Sequence, residues 1–242
     1  MSTLVRIIIT SIISLLMVSC IMDTNFGIGV DGNGKVMSSD RNISDDFKTI
    51  KVSQGLDLYI TQGNSVDLTV EADENLHELI MTEVENNVLK IYTTENIRRA
   101  SSRKILLGIT DIEAIKATSG SDVRSTNIIE VDELELNSTS GSDIRLDVKT
   151  ESLNCHSTSG SDIRLSGSTN ILIAEATSGS DIRASNLRAV TSKVKATSGA
   201  DISVNTSKEL TARATSGADI RYSGNPERVD KSDSSSGSVI KQ

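Results

Sequence analysis

Ser157-Thr158-Ser159-Gly160-Ser161-Asp162-Ile163-Arg164 sets the reading of the whole chain, because the same text keeps returning from residue 117 onward. The unit is small-Thr-Ser-Gly-(Ser/Ala)-Asp-(Ile/Val)-Arg. Its glycines are Gly120, Gly141, Gly160, Gly179, Gly199, Gly217 and Gly237, spaced by 21, 19, 19, 20, 18 and 20 residues. Such a period marks a solenoid, in which each unit buries its apolar face only by stacking on its neighbours. An ankyrin or tetratricopeptide array needs a longer, helical unit, whereas this one is rich in Ser, Thr and Gly and has no helical spacing.

Strand side chains alternate between faces, so counting from each glycine assigns the inward positions. Three residues after it stand Val123, Ile144, Ile163, Ile182, Ile202, Ile220 and Ile240, all β-branched. Five before it stand Ile115, Leu136, Cys155, Ala174, Val194 and Ala212. Seven before it stand Leu134, Leu153, Leu172 and Leu210, with Glu113 and Ser192 breaking the row. Two short strands meeting at a Thr-Ser-Gly corner, stacked in register at about 4.8 Å, predict an all-β parallel β-helix with about 19–20 residues per coil. Glycine suits the corner because it accepts positive φ, and the Thr and Ser hydroxyls can hydrogen-bond between coils. In the last copy Val239 replaces the aspartate, as expected of a terminal coil.

Asp and Arg flank the inward aliphatic, so both face outward. One column is Asp122, Asp143, Asp162, Asp181, Asp201 and Asp219; the other is Arg124, Arg145, Arg164, Arg183 and Arg221, interrupted by Ser203. Like charges stacked at ~4.8 Å repel by about 0.9 kcal/mol per pair in water, and the neighbouring opposite column offsets this. These two columns are the candidate ligand-binding ladder, and equally a charge-balanced face that keeps the solenoid in solution.

Aromatic residues are only 2% of the 242 residues, too few to fill a wide globular core. The formal charge is -8, and removal of residues 1–19, whose only charge is Arg6, makes it -9. That balance excludes nucleic acid as a partner of the whole surface. Residues 1–19 read as a signal peptide: Arg6, then the apolar run Ile7 to Val18, then Ser19 before Cys20. The run of 12 residues is too short for a hydrocarbon core of about 30 Å. Met17-Val18-Ser19-Cys20 resembles the lipobox of bacterial lipoproteins, which implies acylation of Cys20 and a membrane anchor worth ~0.8 kcal/mol per buried methylene. Ile21 after the cysteine favours the outer membrane. Residues 20–31 form the lipidated N-terminus and tether.

From Phe47 the pattern is strand-like: Ile50 and Val52, then Leu56, Leu58 and Ile60, then Val66, Leu68 and Val70, punctuated by Gln54-Gly55 and Gln62-Gly63-Asn64. Asp73 to Ile80 predicts one or two helical turns. Here the text resembles the head GIN domain family of putative autotransporter adhesins. The resemblance rests on Gly32-Asn33-Gly34, Arg41, Phe47 to Val52, Leu56 to Gly63, Val70 to Leu76, Glu83-Val84, Leu89 to Ile91 and the Ser-Gly-Ser repeats. It implies a right-handed β-helix, a β-rich N-terminal part (32–105) ahead of the repeat coils (106–242), and a role in surface attachment. It supplies no catalytic residues.

Catalysis on a β-helix, as in a polysaccharide lyase or hydrolase, needs long loops walling a cleft and carboxylates in two different environments, and neither is written here. His77 and His156 have no metal-ligand spacing around them. Strand alternation puts Cys155 inside and His156 outside, so the two cannot share a nucleophilic or zinc site. One aspartate per coil followed by arginine is a poor calcium site, and no metal or cofactor is expected. The expected protein is a non-enzymatic envelope lipoprotein whose partners are the membrane, through its lipid, and a glycan, matrix component or protein, a second copy included. Cys20→Ala should move the protein from the membrane to the soluble fraction on cell fractionation; unchanged partitioning would remove the anchor.

Overall fold

The computed structural model describes residues 29–234 and 236–242, so the expected signal peptide over residues 1–19 and the expected lipidation at Cys20 lie outside the described residues. At each corner the central pair takes positive φ: Ser119 and Gly120 at 56° and 71°, Ser159 and Gly160 at 58° and 69°. That is the φ signature of a type I′ turn. Thr and the residue after glycine close it, as in Ser121 N–H to Thr118 O at 3.3 Å. The glycine is there for its φ, not for space, because a Cβ at Gly160 would meet nothing within 4 Å. Neighbouring corners are bonded to each other. The N–H of Gly120, Gly141 and Gly160 donates to the carbonyl of Ser140, Ser159 and Ser178 in the next coil, at 3.1, 3.2 and 3.2 Å.

The chain enters through β1 (Val30–Asp31) and β2 (Val36–Asp40), then lays down β3 (Thr49–Val52) and β4 (Asp57–Gln62). An excursion follows: β5 (Asp67–Asp73), a single 3-10 turn at Glu74–Leu76, β6 (Ile80–Glu85), β7 (Val88–Thr93), β8 (Ile97–Arg99) and β9 (Arg103–Ile109). The repeats then run as β10 (Ala114–Ala117), β11 (Asp122–Thr139), β12 (Asp143–Thr158), β13 (Asp162–Thr177), β14 (Asp181–Thr197), β15 (Asp201–Thr215), β16 (Asp219–Ser223), β17 (Arg228–Ser234) and β18 (Ser238–Lys241). From β10 to β18 every pairing is parallel, and equal residues face each other: Asp143 on Asp162 on Asp181, Ile144 on Ile163 on Ile182. The fold is a parallel β-solenoid.

The β-rich N-terminal part is built into the same stack. β3 lies between β7 and β10, and β4 between β9 and β11, all parallel. Gln54 and Gly55, at φ 62° and 70°, make the same corner between β3 and β4. The excursion slides one further coil, β7 with β9, beneath them. It then ends the stack with antiparallel strands: β6 on β7 through the two-residue Asn86-Asn87 turn, and β5 on β9 with β2 outside it. Val30–Asp31, read from sequence as tether, form β1 against β8, and Arg98 ion-pairs with Asp31.

Inside, the expected columns are filled. Val123, Ile144, Ile163, Ile182, Ile202 and Ile220 are at most 1% exposed, as are Ile115, Leu136, Cys155, Ala174, Val194 and Ala212. Each such aliphatic contributes roughly 1.5–3 kcal/mol by leaving water. Ser192, an exception in the leucine row, is buried and shares a 2.7 Å hydrogen bond with Thr206 of the next coil. Buried Ser142, Ser161 and Ser180 donate to carbonyls of the preceding coil, Ala117, Ser138 and Ser157, at 2.9, 2.7 and 2.7 Å. The uneven periods are absorbed at the bend that follows the Arg column. In the 21-residue period the extra residues bulge between Arg124 and Ile128. Asn127 pins that bulge, accepting from Gln62 N–H at 2.9 Å and donating to Gln62 O at 2.8 Å.

The last copy corrects the count from glycine. Asp219 pairs with Ser238 and Ile220 with Val239, so Val239 is the inward residue, 4% exposed, and Ile240 points out at 52%. The aspartate is therefore replaced by Ser238, whose hydroxyl donates to Asp219 at 2.5 Å. Ser236, at φ 68°, holds the place that glycine holds elsewhere, one residue ahead of Gly237.

Ile163→Asp should lower stability by about 3–5 kcal/mol, because it leaves an uncompensated charge in the axial column. Ile171→Asp, at an outward position 47% exposed, should change it little. Denaturant midpoints of the two variants compare them directly, and equal midpoints would reject the inward assignment.

Candidate functional site

The Asp and Arg columns lie on one outer face immediately after the corner, and the structure brings them together as a staircase. Arg164 reaches Asp162 of its own coil at 2.5 Å and Asp143 of the coil before at 3.7 Å. Arg183 bridges Asp181 and Asp162, the latter at 2.9 Å. Arg221 bridges Asp219 at 3.3 Å and Asp201 at 3.8 Å, filling in where Ser203 replaces an arginine. Arg124 pairs with Asp122 at 3.3 Å and stands 6.0 Å over the ring of Tyr59, which occupies the arginine position one coil earlier. Among the described residues Arg145 forms no ion pair. A shallow groove of about 440 Å³ runs along the bend beside Arg145, Arg164 and Arg183.

Partial loss of water pushes the carboxyls of Asp143 and Asp181 above the usual range, and stacking on neighbouring aspartates adds to it. Asp162 and Asp122 act on Asp143; Asp162 and Asp201 act on Asp181, against Arg183. The staircase therefore offsets the like-charge repulsion only in part. Asp73, at the closed end, shows the opposite balance. Burial raises its carboxyl, but the backbone N–H groups of Gly34, Ser102 and Ser101 outweigh this and hold it below its ordinary value. It ties the Gly32-Asn33-Gly34 segment to the excursion.

Cys155 is fully buried, and burial drives its thiol far up, so it is an inert member of the core. His156 faces outward, its Nδ1 3.7 Å from Glu175 Oε2. His77 sits at the closed end, its Nε2 at 3.1 Å from Met37 O. Among the described residues no group of three or more His, Cys, Asp or Glu is placed to hold a metal ion.

A second outer face lies on the strand before the corner, where no uniform charged column marks it in the sequence. Four residues ahead of each corner glycine stand Lys51, Lys116, Asn137, His156, Glu175, Lys195 and Arg213, and the ladder extends the row to Lys90. Beside it runs an unbroken hydroxyl column: Thr118, Thr139, Thr158, Thr177, Thr197 and Thr215. The repeat spacing would have revealed its coils, but nothing in the sequence announces that Lys51 and Lys90 join them.

Fold and faces together define a parallel β-solenoid with a periodic polar exterior. The family described as putative auto-transporter adhesin, head GIN domain, matches residues 46–226, and the chain belongs to it. Among solved structures it is similar to a putative adhesin from Bacteroides fragilis (22% identity, 88% of this chain and 100% of that one, TM-score 0.82). A putative lipid binding protein from Parabacteroides distasonis is similar too (22% identity, 88% and 99% covered, TM-score 0.72). So is a putative adhesin from Parabacteroides merdae (20% identity, 88% and 98% covered, TM-score 0.72). No curated protein matches.

A carboxyl raised in the folded state takes up its proton more readily there than in the unfolded chain. Its protonation therefore favours folding, and that advantage is lost as pH rises through the folded value. Asp143→Asn should accordingly be no less stable than wild type at pH 7, with any gain vanishing as pH falls below the ordinary carboxyl value of 3.8. Thermal melts at the two pH values check this, and a lower melting point for the variant at pH 7 contradicts it.

Proposed function

We propose that this chain is an exported, lipid-anchored module of the cell envelope that binds a surface or polymeric ligand through the outside of its solenoid and performs no chemistry. The observation that carries the reading is the exterior itself. Successive coils turn through two-residue corners, and their outer faces are straight columns of repeated polar residues with no wall around them. A repetitive ligand can meet such a surface in many equivalent registers, which suits attachment by many weak contacts rather than one deep site. The family's adhesin description and the lipobox-like Met17 to Cys20 support the same reading. The outer membrane is the proposed seat of the anchor, and the Asp/Arg staircase from Asp122 to Arg221 is one proposed contact face.

The competing reading is a carbohydrate-active enzyme, which requires carboxylates in unlike environments within one cleft. The repeated aspartates here stand on an open face. The mature chain should bind whole bacterial or host cells or matrix glycans saturably, and should release no new reducing ends from a panel of polysaccharides. Turnover would replace this reading with the enzymatic one, and failure to bind any surface would remove it.

A further inference from the structure

We propose that the face before the corners, where the lysine column runs beside the threonine column, binds an extended anionic polysaccharide lying along the solenoid axis. The inference rests on the binding-module reading and names its face and ligand class. Lys90, Lys51 and Lys116 occupy three successive rungs. At ~4.8 Å in water each adjacent pair costs about 0.9 kcal/mol. Of these three, among the described residues, only Lys90 has a counter-ion, Glu85, while Lys195 farther along the column pairs with Glu175 at 3.6 Å. Lys51 and Lys116 are exposed and make no side-chain hydrogen bond or ion pair among the described residues, and the same holds for Arg213 at the far end of the column.

This differs from the staircase, where all but one of the arginines already pair with a carboxylate. On a chain of net charge -8, uncompensated cations kept in line are an anion-binding feature, and the opposite sign of the rest of the surface confines a polyanion to that line. Two grooves lie on the same stripe. One, of about 380 Å³, is lined by Lys51, Lys90, Ser53, Tyr92 and Thr118. The other, of about 400 Å³, is lined by His156, Thr158, Glu175, Thr177, Lys195 and Thr197.

The threonines fix the ligand class. Their hydroxyls both donate and accept, and they sit within reach of one another between coils, as Thr215 to Thr197 at 3.1 Å demonstrates. A ladder of paired donors and acceptors matches sugar hydroxyls, and the coil spacing is close to the length of one sugar unit in an extended chain. Carboxylate, sulfate or phosphate groups on that chain would meet the lysines. Single-stranded nucleic acid, the other common polyanion, is held by stacking successive bases on aromatic rings, and each groove offers a single ring, Tyr92 in one and the His156 imidazole in the other.

Titration of the mature chain with polygalacturonate, neutral dextran and single-stranded DNA tests this. Polygalacturonate should bind, with affinity falling steeply from 50 to about 200 mM salt as screening grows. Dextran and DNA should bind at least tenfold more weakly. The triple variant Lys51→Gln, Lys116→Gln, Lys195→Gln, at exposed outward positions, should lose at least tenfold in affinity with an unchanged circular-dichroism spectrum and melting point. Lys208→Gln, exposed and on neither of the two faces, should retain wild-type affinity. Equal binding by the triple variant, or equal affinity for dextran or DNA, overturns the proposal. If the wild type ignores polygalacturonate yet still binds cells, the face assignment falls and the binding-module reading stands; if it binds neither, both fall.

Discussion

The structure depends on a corner in which two successive residues turn left-handed and still hydrogen-bond to the corner of the next coil. A serine at positive φ costs roughly 1–2 kcal/mol, and this chain accepts that cost at Ser119, Ser140, Ser159, Ser178, Ser198 and Ser216. The offset comes from stacking. From Gly120 to Gly199 each corner glycine N–H finds the carbonyl of the strained serine one coil on, so the strained residue is also the acceptor that fixes register. A buried serine just past the glycine adds a second link, back to the preceding coil, until Ala200 and Ala218 take its place near the end. With the corners locked, the strands between them have no freedom to slip. A slip of one residue would send every Ile to water and every Asp to the core.

Register in turn dictates composition. A narrow axial space is filled by Ile, Leu, Val and Ala, and a thiol such as Cys155 enters as one more small apolar group. It also forces equal outward residues into contact. An aspartate column must then be threaded by arginines, and a lysine column left unthreaded must look for anions outside the chain. The difference between the two outer faces is thus a difference in how the same stacking problem is met.

The corner text made most of this legible, because its spacing alone locates inward and outward rows from residue 117 to 223. Two things escaped it. At the C-terminus the glycine count failed by one residue, since Ser236 rather than Gly237 occupies the turn; pairing with Asp219 and Ile220, not local text, decides the register there. At the other end, the corner conformation is carried by Ser53-Gln54-Gly55 in place of Thr-Ser-Gly. The coil of β7 and β9 is inserted beneath earlier strands by a long excursion. Pairings such as Lys51 with both Lys90 and Lys116 are set by long-range stacking, which no local period encodes, so the lysine row was invisible until the strands were placed.

The two ends meet the open-edge problem differently, and this bears on where a ligand can act. A parallel stack presents unpaired backbone at each end, a template for adding further strands. At the N-terminal end the chain covers its own stack with antiparallel strands. At the C-terminal end β17 pairs, among the described residues, only with β15, and it places Lys231 and Asp233 opposite the buried Ala212 and Ala214. An incoming apolar strand would have to bury those charges, so extension of the core beyond this coil is opposed at its own surface. With one end covered and the other made unfavourable to stacking, the sides are where a long, repetitive partner can engage many coils at once. The unpaired cations lie along one of those sides, beside hydroxyls presented at the interval of the coils themselves.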